Sequence, residues 1–235
     1  MTSVRIVLTT EAVSAEHVRG TLCVVIDVLR ASTTIVTALA NGCPGVIPVE
    51  TPEEARALAR KRNCLLGGER EGLKPEGFDF GNSPLEYASD RIDGRAIAFT
   101  TTNGTRAIRA CAESDMLVIA SFLNGREVIK LLKEESRNIL IVCAGTRGKA
   151  TMEDTACGGM LLEGIRAGET PEAEEALALW NAHKNDLPSM MKNLSEHGRT
   201  LVELGFERDI EFAAHLNSCD IVALRDGDEI VRKPR

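Results

Sequence analysis

The sequence predicts an α/β fold in which helices cover both sides of a largely parallel sheet, a layered α/β/α arrangement. Short apolar runs typical of buried strands alternate with segments that carry helix-start and helix-stop signals. One order of elements occurs twice, over residues 22–90 and 95–165. We therefore expect an internal duplication of two similar halves, then a helical tail with a terminal hairpin over 166–235, in a single compact unit spanning 1–235.

The first half contains the segment around which we interpret the rest of the chain. Residues 23–26 form an apolar run that predicts a buried strand, and Asp27 follows where that strand ends. A helix is expected to continue to the stop signal at 41–42. Asp27 is either a helix cap or part of an anion or metal site, and this segment alone leaves both readings open. A strand at 4–8 is expected before this half. The half itself continues with a strand at 45–49, a helix from Thr51 to about 61 and a strand at 64–66.

The second half repeats this order from residue 96 onward. Its elements are a strand at 96–100, a turn at 101–106, a helix at 107–112, a strand at 116–120, a helix at 125–133, a strand at 138–143 and a helix at 156–165. The tail predicts helices over about 170–183, 186–204 and 208–216, and then a hairpin with strands at 221–224 and 229–232. We expect this hairpin at the edge of the sheet.

The turns of both halves are expected to meet in one cleft, because parallel strands bring their carboxyl ends to the same edge of a sheet. Four of these turns carry an arginine beside small residues, namely Arg30, Arg70, Arg106 and Arg147. The planar guanidinium group suits phosphate, carboxylate or sulfonate oxygens. The pattern therefore indicates a small substrate with more than one anionic group.

Carboxylates accompany the arginines in the same turns. They are Asp27, Glu69, Glu71, Asp79, Glu153 and Asp154. Oxygen ligands without clustered cysteine or histidine favour Mg²⁺ over zinc. Asp27, Glu69 and Asp154 are the preferred candidates for ligands or bases. The four histidines, His17, His183, His197 and His215, stand apart from these motifs, and we predict surface or packing roles for them.

Composition and missing motifs exclude several other classes of protein. A net charge of −7, a pI near 5.3 and few aromatic residues disfavour nucleic-acid binding. No apolar run approaches about eighteen residues, so no membrane span is expected. Seven scattered cysteines indicate reduced thiols in a cytoplasmic protein. The sequence also lacks the Walker phosphate loop and the dinucleotide-binding glycine fingerprint.

Five motifs taken together resemble those of 2-phosphosulfolactate phosphatases. They are VIDVLRAST at 25–33, GGER at 67–70, GFDFGNSP at 77–84, TTTNGTR at 100–106 and AGT at 144–146. The resemblance implies a cytoplasmic, Mg²⁺-dependent α/β enzyme that removes phosphate from 2-phospho-3-sulfolactate, a step toward coenzyme M. That substrate carries phosphate, sulfonate and carboxylate groups, which agrees with the several arginines.

The resemblance also implies roles for individual residues. Asp27, Glu69 and Asp154 would hold Mg²⁺ directly or through water, and together with Arg30 they form the expected catalytic set. The expected substrate-binding residues are Ser32, Thr33, Arg70, Asn103, Gly104, Thr105, Arg106, Gly145 and Thr146.

Several alternatives stay open at this point. The protein could act on another small 2-phosphorylated acid, or it could be a non-catalytic sensor of such an anion. Whether water or a side chain attacks the phosphoryl group is undecided. The sequence also leaves a homo-oligomer open.

Overall fold

The computed structural model describes residues 3–92 and 94–234, and within them the strands form one nine-stranded sheet in the order β1-β7-β2-β6-β8-β9-β3-β5-β4. The strands are β1 (Val4–Val7), β2 (Thr21–Ile26), β3 (Val46–Pro48), β4 (Leu65–Gly68), β5 (Ile97–Thr100), β6 (Met116–Ala120), β7 (Asn138–Cys143), β8 (Ala223–Asp226) and β9 (Glu229–Arg232). Two groups of parallel strands, β1-β7-β2-β6 and β3-β5-β4, make up most of the sheet.

Helices cover this sheet and form the C-terminal layer, so the predicted α/β architecture is confirmed. They are α1 (Ala15–Val18), α2 (Ala31–Ala40), α3 (Pro52–Arg62), α4 (Ser89–Ile92), α5 (Gly104–Ala110), α6 (Gly125–Glu134), α7 (Met152–Ile165), α8 (Pro171–His183), α9 (Leu187–Ser189), α10 (Glu196–Glu203) and α11 (Glu207–Ala213). None of the helices in the described ranges has both the length and the hydropathy needed to cross a membrane. That the whole chain behaves as one domain stays a prediction.

The helix predicted over 186–204 is interrupted. A π-helical turn, Met190–Leu194, separates α9 from α10, and Ser195 then adopts an extended conformation. The Ser195 side chain accepts a hydrogen bond from the Gly198 amide and caps α10. A Cβ atom on Gly198 would lie 1.8 Å from the Met191 carbonyl oxygen, so the chain can turn this tightly only with glycine there.

The C-terminal hairpin lies inside the sheet, and the prediction that it lies at the edge was wrong. Strand β8 pairs antiparallel with β6, and β9 pairs antiparallel with β3. The hairpin therefore joins the two parallel groups. Its inward side chains, Ala223 and Ile230, are fully buried, whereas its outward positions are only partly buried. That alternation is also typical of an edge strand, so the sequence pattern does not distinguish the two places.

The two halves of the duplication exchange strands. Strand β2 of the first half lies between β6 and β7 of the second, and β5 of the second half lies between β3 and β4 of the first. Equivalent backbone bonds mark the exchange: the Glu69 amide donates to the Thr100 carbonyl at 2.9 Å, and the Ala144 amide donates to the Ile26 carbonyl at 2.8 Å.

The turns that follow β4 and β7 have the same backbone geometry. Residues 70–73 and 146–149 each close with a reciprocal pair of hydrogen bonds between the first and last residue of the turn. Positive φ angles occur at the same two places of both turns, namely at Glu71 and Gly72 and at Arg147 and Gly148. The duplication is therefore visible in the backbone although few side chains are shared.

Helix α2 packs across the middle of the sheet. It contacts β3, β6, β8 and β9, and residues 31–39 are all buried. The ends of β2 and β5 approach each other here, although these strands belong to different parallel groups. A Cβ atom on Gly104, after β5, would lie 2.7 Å from the carboxylate of Asp27, after β2. The turns of both halves thus meet, as predicted, although the sheet between them is not continuously parallel.

Replacement of Ile230 tests the central position of the hairpin. We expect Ile230→Ala to lower the free energy of unfolding by about 2–5 kcal/mol, because it opens a cavity between the two parallel groups. Val231→Ala, on the opposite face and only partly buried, should cost less than about 2 kcal/mol. Urea denaturation measures both, and equal losses would argue against an interior hairpin.

Candidate active site

Asp27 lies at the point where β2 ends and α2 approaches. Its Oδ1 accepts a hydrogen bond from the Ala31 amide at 3.1 Å, and its own amide donates to Ser32 Oγ at 2.9 Å. The side chain is therefore a helix cap, one of the two readings that the sequence left open. Burial and the nearby charge of Asp154 raise the pKa of Asp27 to about 7. The same carboxylate thus lies in a strongly perturbed electrostatic environment.

Asp154 lies in the first turn of α7 and holds two loops. Its Oδ1 accepts from the Val28 amide at 2.7 Å, and its Oδ2 accepts from the Gly145 amide at 3.2 Å. Burial and the adjacent Glu153 raise its pKa to about 7. Glu153 is also buried, and it accepts a hydrogen bond from Ser195 Oγ at 2.7 Å. Burial raises the pKa of Glu153 as well.

Glu69 follows β4 and, like Asp154, uses both carboxylate oxygens to hold two loops. Its Oε1 accepts from the Thr102 amide and its Oε2 from the Gly72 amide, both at 2.7 Å. The carboxylate is 7 % exposed. It thus connects the turn after β4 to the turn after β5.

The three carboxylates form an oxygen-rich set of the kind that suits Mg²⁺. Asp154 and Glu69 each use both oxygens on backbone amides, whereas within the described residues Asp27 Oδ2 accepts no protein hydrogen bond. Over residues 3–92 and 94–234, no group of three or more His, Cys, Asp or Glu side chains is arranged to hold a metal ion. The donor types therefore fit Mg²⁺, with Asp27 as the side chain best placed to contact it. Direct ligation by all three carboxylates is not supported by this arrangement.

Arg30 is buried in an ion pair that the sequence did not predict. Its Nη1 donates to Asp209 Oδ2 at 2.7 Å, and its Nη2 donates to the Gly72 carbonyl at 2.8 Å. The guanidinium carbon lies 4.0 Å from the centre of the Phe206 ring. Because only 2 % of the Arg30 side chain is exposed, the structure shows this arginine bracing α2 against the C-terminal layer. These contacts do not show Arg30 in its expected role as a clamp on substrate oxygens.

The other three turn arginines differ in accessibility. Arg70 is partly buried and donates to the Glu69 carbonyl and to Thr100 Oγ1. Arg106 is exposed and forms an ion pair with Glu11 at 3.3 Å. Arg147 is exposed on the turn after β7.

The remaining predicted substrate-binding residues lie around the same loops. Ser32 and Thr33 are buried at the start of α2, and Thr33 Oγ1 donates to the Val28 carbonyl. Asn103 Nδ2 lies 3.5 Å from Thr146 Oγ1 and links the turns after β5 and β7, both in the second half. Gly104, Thr105 and Gly145 are buried beside them.

His197 belongs to the site, and its predicted surface or packing role was incomplete. Its Nε2 lies 2.8 Å from the Leu29 carbonyl oxygen, and its positive charge opposes the rise in the pKa of Asp27. Neither His197 nor Asp209 follows a strand or a glycine-rich turn. Both come from the helical tail. Asp209 ends the segment 204–209, whose resemblance to the family is looser than that of the five motifs, and no motif indicated His197.

Comparison with known proteins agrees with this arrangement of motifs. The family model described as 2-phosphosulpholactate phosphatase matches residues 7–227. The chain belongs to this family.

Three relatives illustrate the similarity, each named "Probable 2-phosphosulfolactate phosphatase". The protein of Symbiobacterium thermophilum is 44 % identical over 225 residues, which cover 92 % of this chain and 96 % of that protein. The protein of Thermotoga maritima is 44 % identical over 189 residues, covering 80 % and 82 %. The protein of Clostridium perfringens strain 13 is 36 % identical over 225 residues, covering 92 % and 91 %.

The raised carboxyl pKa values predict how stability depends on pH. Asp27 and Asp154 bind protons more tightly in the folded state than in the unfolded state, where a carboxyl pKa is about 4. Their stabilising contribution is full below about pH 4 and is lost as the pH rises through about 7. We expect the free energy of unfolding of metal-free protein to fall between about pH 4 and about pH 7.

Urea denaturation across this pH range, in the presence of a chelator, measures the effect. Asp27→Asn should remove part of the fall, because the amide does not titrate. A pH dependence identical to that of the wild type would show that the fall arises from other groups.

The buried ion pair can be tested separately. Asp209→Asn leaves the Arg30 charge unpaired in the interior, so we expect it to lower the free energy of unfolding by about 3–5 kcal/mol. The double variant Arg30→Met/Asp209→Leu, which removes both charges, should recover much of that loss. Glu113→Gln, which breaks the exposed pair with Arg19, should cost less than about 1 kcal/mol. An Asp209→Asn variant as stable as Glu113→Gln would contradict the buried ion pair.

Proposed function

We propose that the protein is a cytoplasmic, Mg²⁺-dependent phosphatase that hydrolyses 2-phospho-3-sulfolactate to 3-sulfolactate and phosphate, a step of coenzyme M biosynthesis. The observation that carries the proposal is the family match over residues 7–227. The site supports it, because the motifs of the family converge on buried carboxylates and on arginines, as a polyanionic substrate requires.

Asp27 is the residue to which we assign the chemistry. One of its oxygens caps α2 and the other accepts no hydrogen bond from the described residues. Its pKa near 7 allows it to hold or release a proton close to neutral pH. Asp27 is thus suited to orient or deprotonate an attacking group, or to contact a cation.

Mg²⁺ would supply positive charge and Lewis acidity where the phosphoryl group carries negative charge. Asp27 would contact the ion, while Glu69 and Asp154, whose oxygens already bind backbone amides, would act through water. Burial and then the charge of Asp154 raise the pKa of Asp27, and a bound cation would offset that repulsion at Asp27.

The loops around these carboxylates would orient the substrate. Ser32, Asn103 and Thr146 offer polar groups in the turns, and Arg106 and Arg147 offer exposed positive charge in the turns after β5 and β7. Holding the phosphoryl group in one orientation lowers the entropic part of the barrier.

Phosphate release from 2-phospho-3-sulfolactate, with Mg²⁺ and with a chelator, tests the proposal. We expect hydrolysis that depends on Mg²⁺, and 2-phospholactate and 2-phosphoglycerate should be poorer substrates. A preference for one of these acids would reassign the substrate. Tight binding of the sulfonated acid without any phosphate release would show that the protein is a sensor.

Asp27→Asn should lower kcat at least about 100-fold, because the amide cannot accept a proton or neutralise a cation. Asp79→Asn is the matched control. Asp79 accepts a hydrogen bond from the Leu66 amide on the exposed side of the loop, so its variant should keep activity within about threefold of the wild type. An active Asp27→Asn enzyme would exclude Asp27 from the chemistry.

A further inference from the structure

The two halves supply equivalent helix-start caps to the site. Asp27 Oδ1 accepts from the amide four residues later, at Ala31, and Thr101 Oγ1 accepts from the amide four residues later, at Thr105. The Asp27 amide donates to the hydroxyl group of Ser32, five residues later, and the Thr101 amide donates to the hydroxyl group of Thr105, four residues later. Asp27 and Thr101 therefore hold corresponding places after β2 and β5, although the hydroxyl group that each amide binds differs in position by one residue.

The loops after these residues are braced in the same way. Val28, which follows Asp27, donates its amide to Asp154 at 2.7 Å. Thr102, which follows Thr101, donates its amide to Glu69 at 2.7 Å. The second oxygen of Glu69 binds the Gly72 amide in the turn after its own strand β4, and the second oxygen of Asp154 binds the Gly145 amide in the connection between β7 and α7. The site thus consists of two half-sites with similar hydrogen bonds. One is formed around Asp27 and Asp154, and the other around Thr101, Thr105 and Glu69.

The charges of the half-sites differ. The first contains three buried carboxylates, those of Asp27, Glu153 and Asp154. In the second, a neutral threonine replaces the aspartate, and the guanidinium of Arg70 lies beside Glu69, donating to the Glu69 carbonyl and to Thr100 Oγ1. The first half-site, with its three buried carboxylates, suits a group that is bound together with a cation. The second suits an anion that is bound without reaction.

The substrate of the proposed function has two groups of matching shape. A phosphoryl group and a sulfonate are both tetrahedral and both present three oxygens, yet only the P–O bond is broken. The two half-sites have similar backbone geometry but different charge. One is therefore suited to the phosphoryl group and the other to the sulfonate.

We propose, on the basis of the function given above, that the Asp27 half-site takes the phosphoryl group and the Thr101–Thr105 half-site takes the sulfonate. Thr105 and Glu69 then determine specificity. Thr105 holds the shape of the sulfonate half-site, and Glu69 is a positioning residue that acts through the Thr102 loop. Ser32 and Asp154 are their counterparts for the phosphoryl group.

Matched removal of one hydroxyl group from each half-site tests the assignment. With 2-phospho-3-sulfolactate, Thr105→Val should raise KM about tenfold or more with little change in kcat, because it disturbs binding of the unreactive anion. Ser32→Ala should instead lower kcat about tenfold or more, because the phosphoryl group is oriented less well. Equal effects of both variants on kcat and on KM would overturn the assignment.

A second substrate, 2-phospholactate, lacks the sulfonate and sharpens the comparison. Thr105→Val should leave its kcat/KM within about twofold of the wild-type value, whereas Ser32→Ala should lower it as much as for the sulfonated acid. A loss in Thr105→Val that is the same for both substrates would overturn the proposal.

Glu69→Gln and Asp154→Asn provide an independent pair that does not depend on the hydroxyl groups. Glu69→Gln should raise KM for the sulfonated acid, and amide hydrogen exchange should accelerate at Thr102 and Gly72. Asp154→Asn should lower kcat, with faster exchange at Val28 and Gly145. Reversed effects, with KM raised by Asp154→Asn and kcat lowered by Glu69→Gln, would overturn the assignment. A wild-type enzyme that releases no phosphate from the sulfonated acid would instead overturn the function itself, which is a distinguishable result.

Discussion

The site depends on two buried carboxylates that hold backbone amides across the fold. A buried carboxylate is costly unless its oxygens are hydrogen-bonded. Asp154 and Glu69 meet this requirement, because each binds one amide of its own connection and one amide of the loop after another strand. The same hydrogen bonds fix the loops after β2 and β5. They therefore offset the cost of burying the two carboxylates and also set the geometry of the site.

This arrangement requires the exchange of strands between the halves. Because β2 lies between β6 and β7, the acid that follows β7 is adjacent to the loop that follows β2. Because β5 lies between β3 and β4, the acid that follows β4 is adjacent to the loop that follows β5. The hairpin β8-β9 then joins the two groups, and the loops after β2 and β5 meet where Gly104 approaches Asp27.

Local features of the fold were predictable, and long-range ones were not. Apolar runs and turn residues predicted the strands, and the residues after those strands included Asp27, Glu69 and Asp154. The interior position of the hairpin depends on which strands pair, which its short alternating pattern does not encode. The contacts of Asp209 and His197 with the segment 29–30 span more than 160 residues of sequence. No periodicity or spacing carries such information. Arg30 forms its ion pair with Asp209 of the tail. In this structure its guanidinium group is therefore not free to bind substrate oxygens, the role predicted for it from the sequence.

The functional asymmetry of the duplicated site can be traced to one position. Asp27 and Thr101 make the same helix-start hydrogen bond, so the cap alone does not require an aspartate. The aspartate is costly here, because burial and Asp154 raise its pKa to about 7. Threonine at the same place avoids that cost and leaves the backbone unchanged. An ionisable group where a neutral one makes the same hydrogen bond supports the proposal that the phosphoryl group is bound beside Asp27.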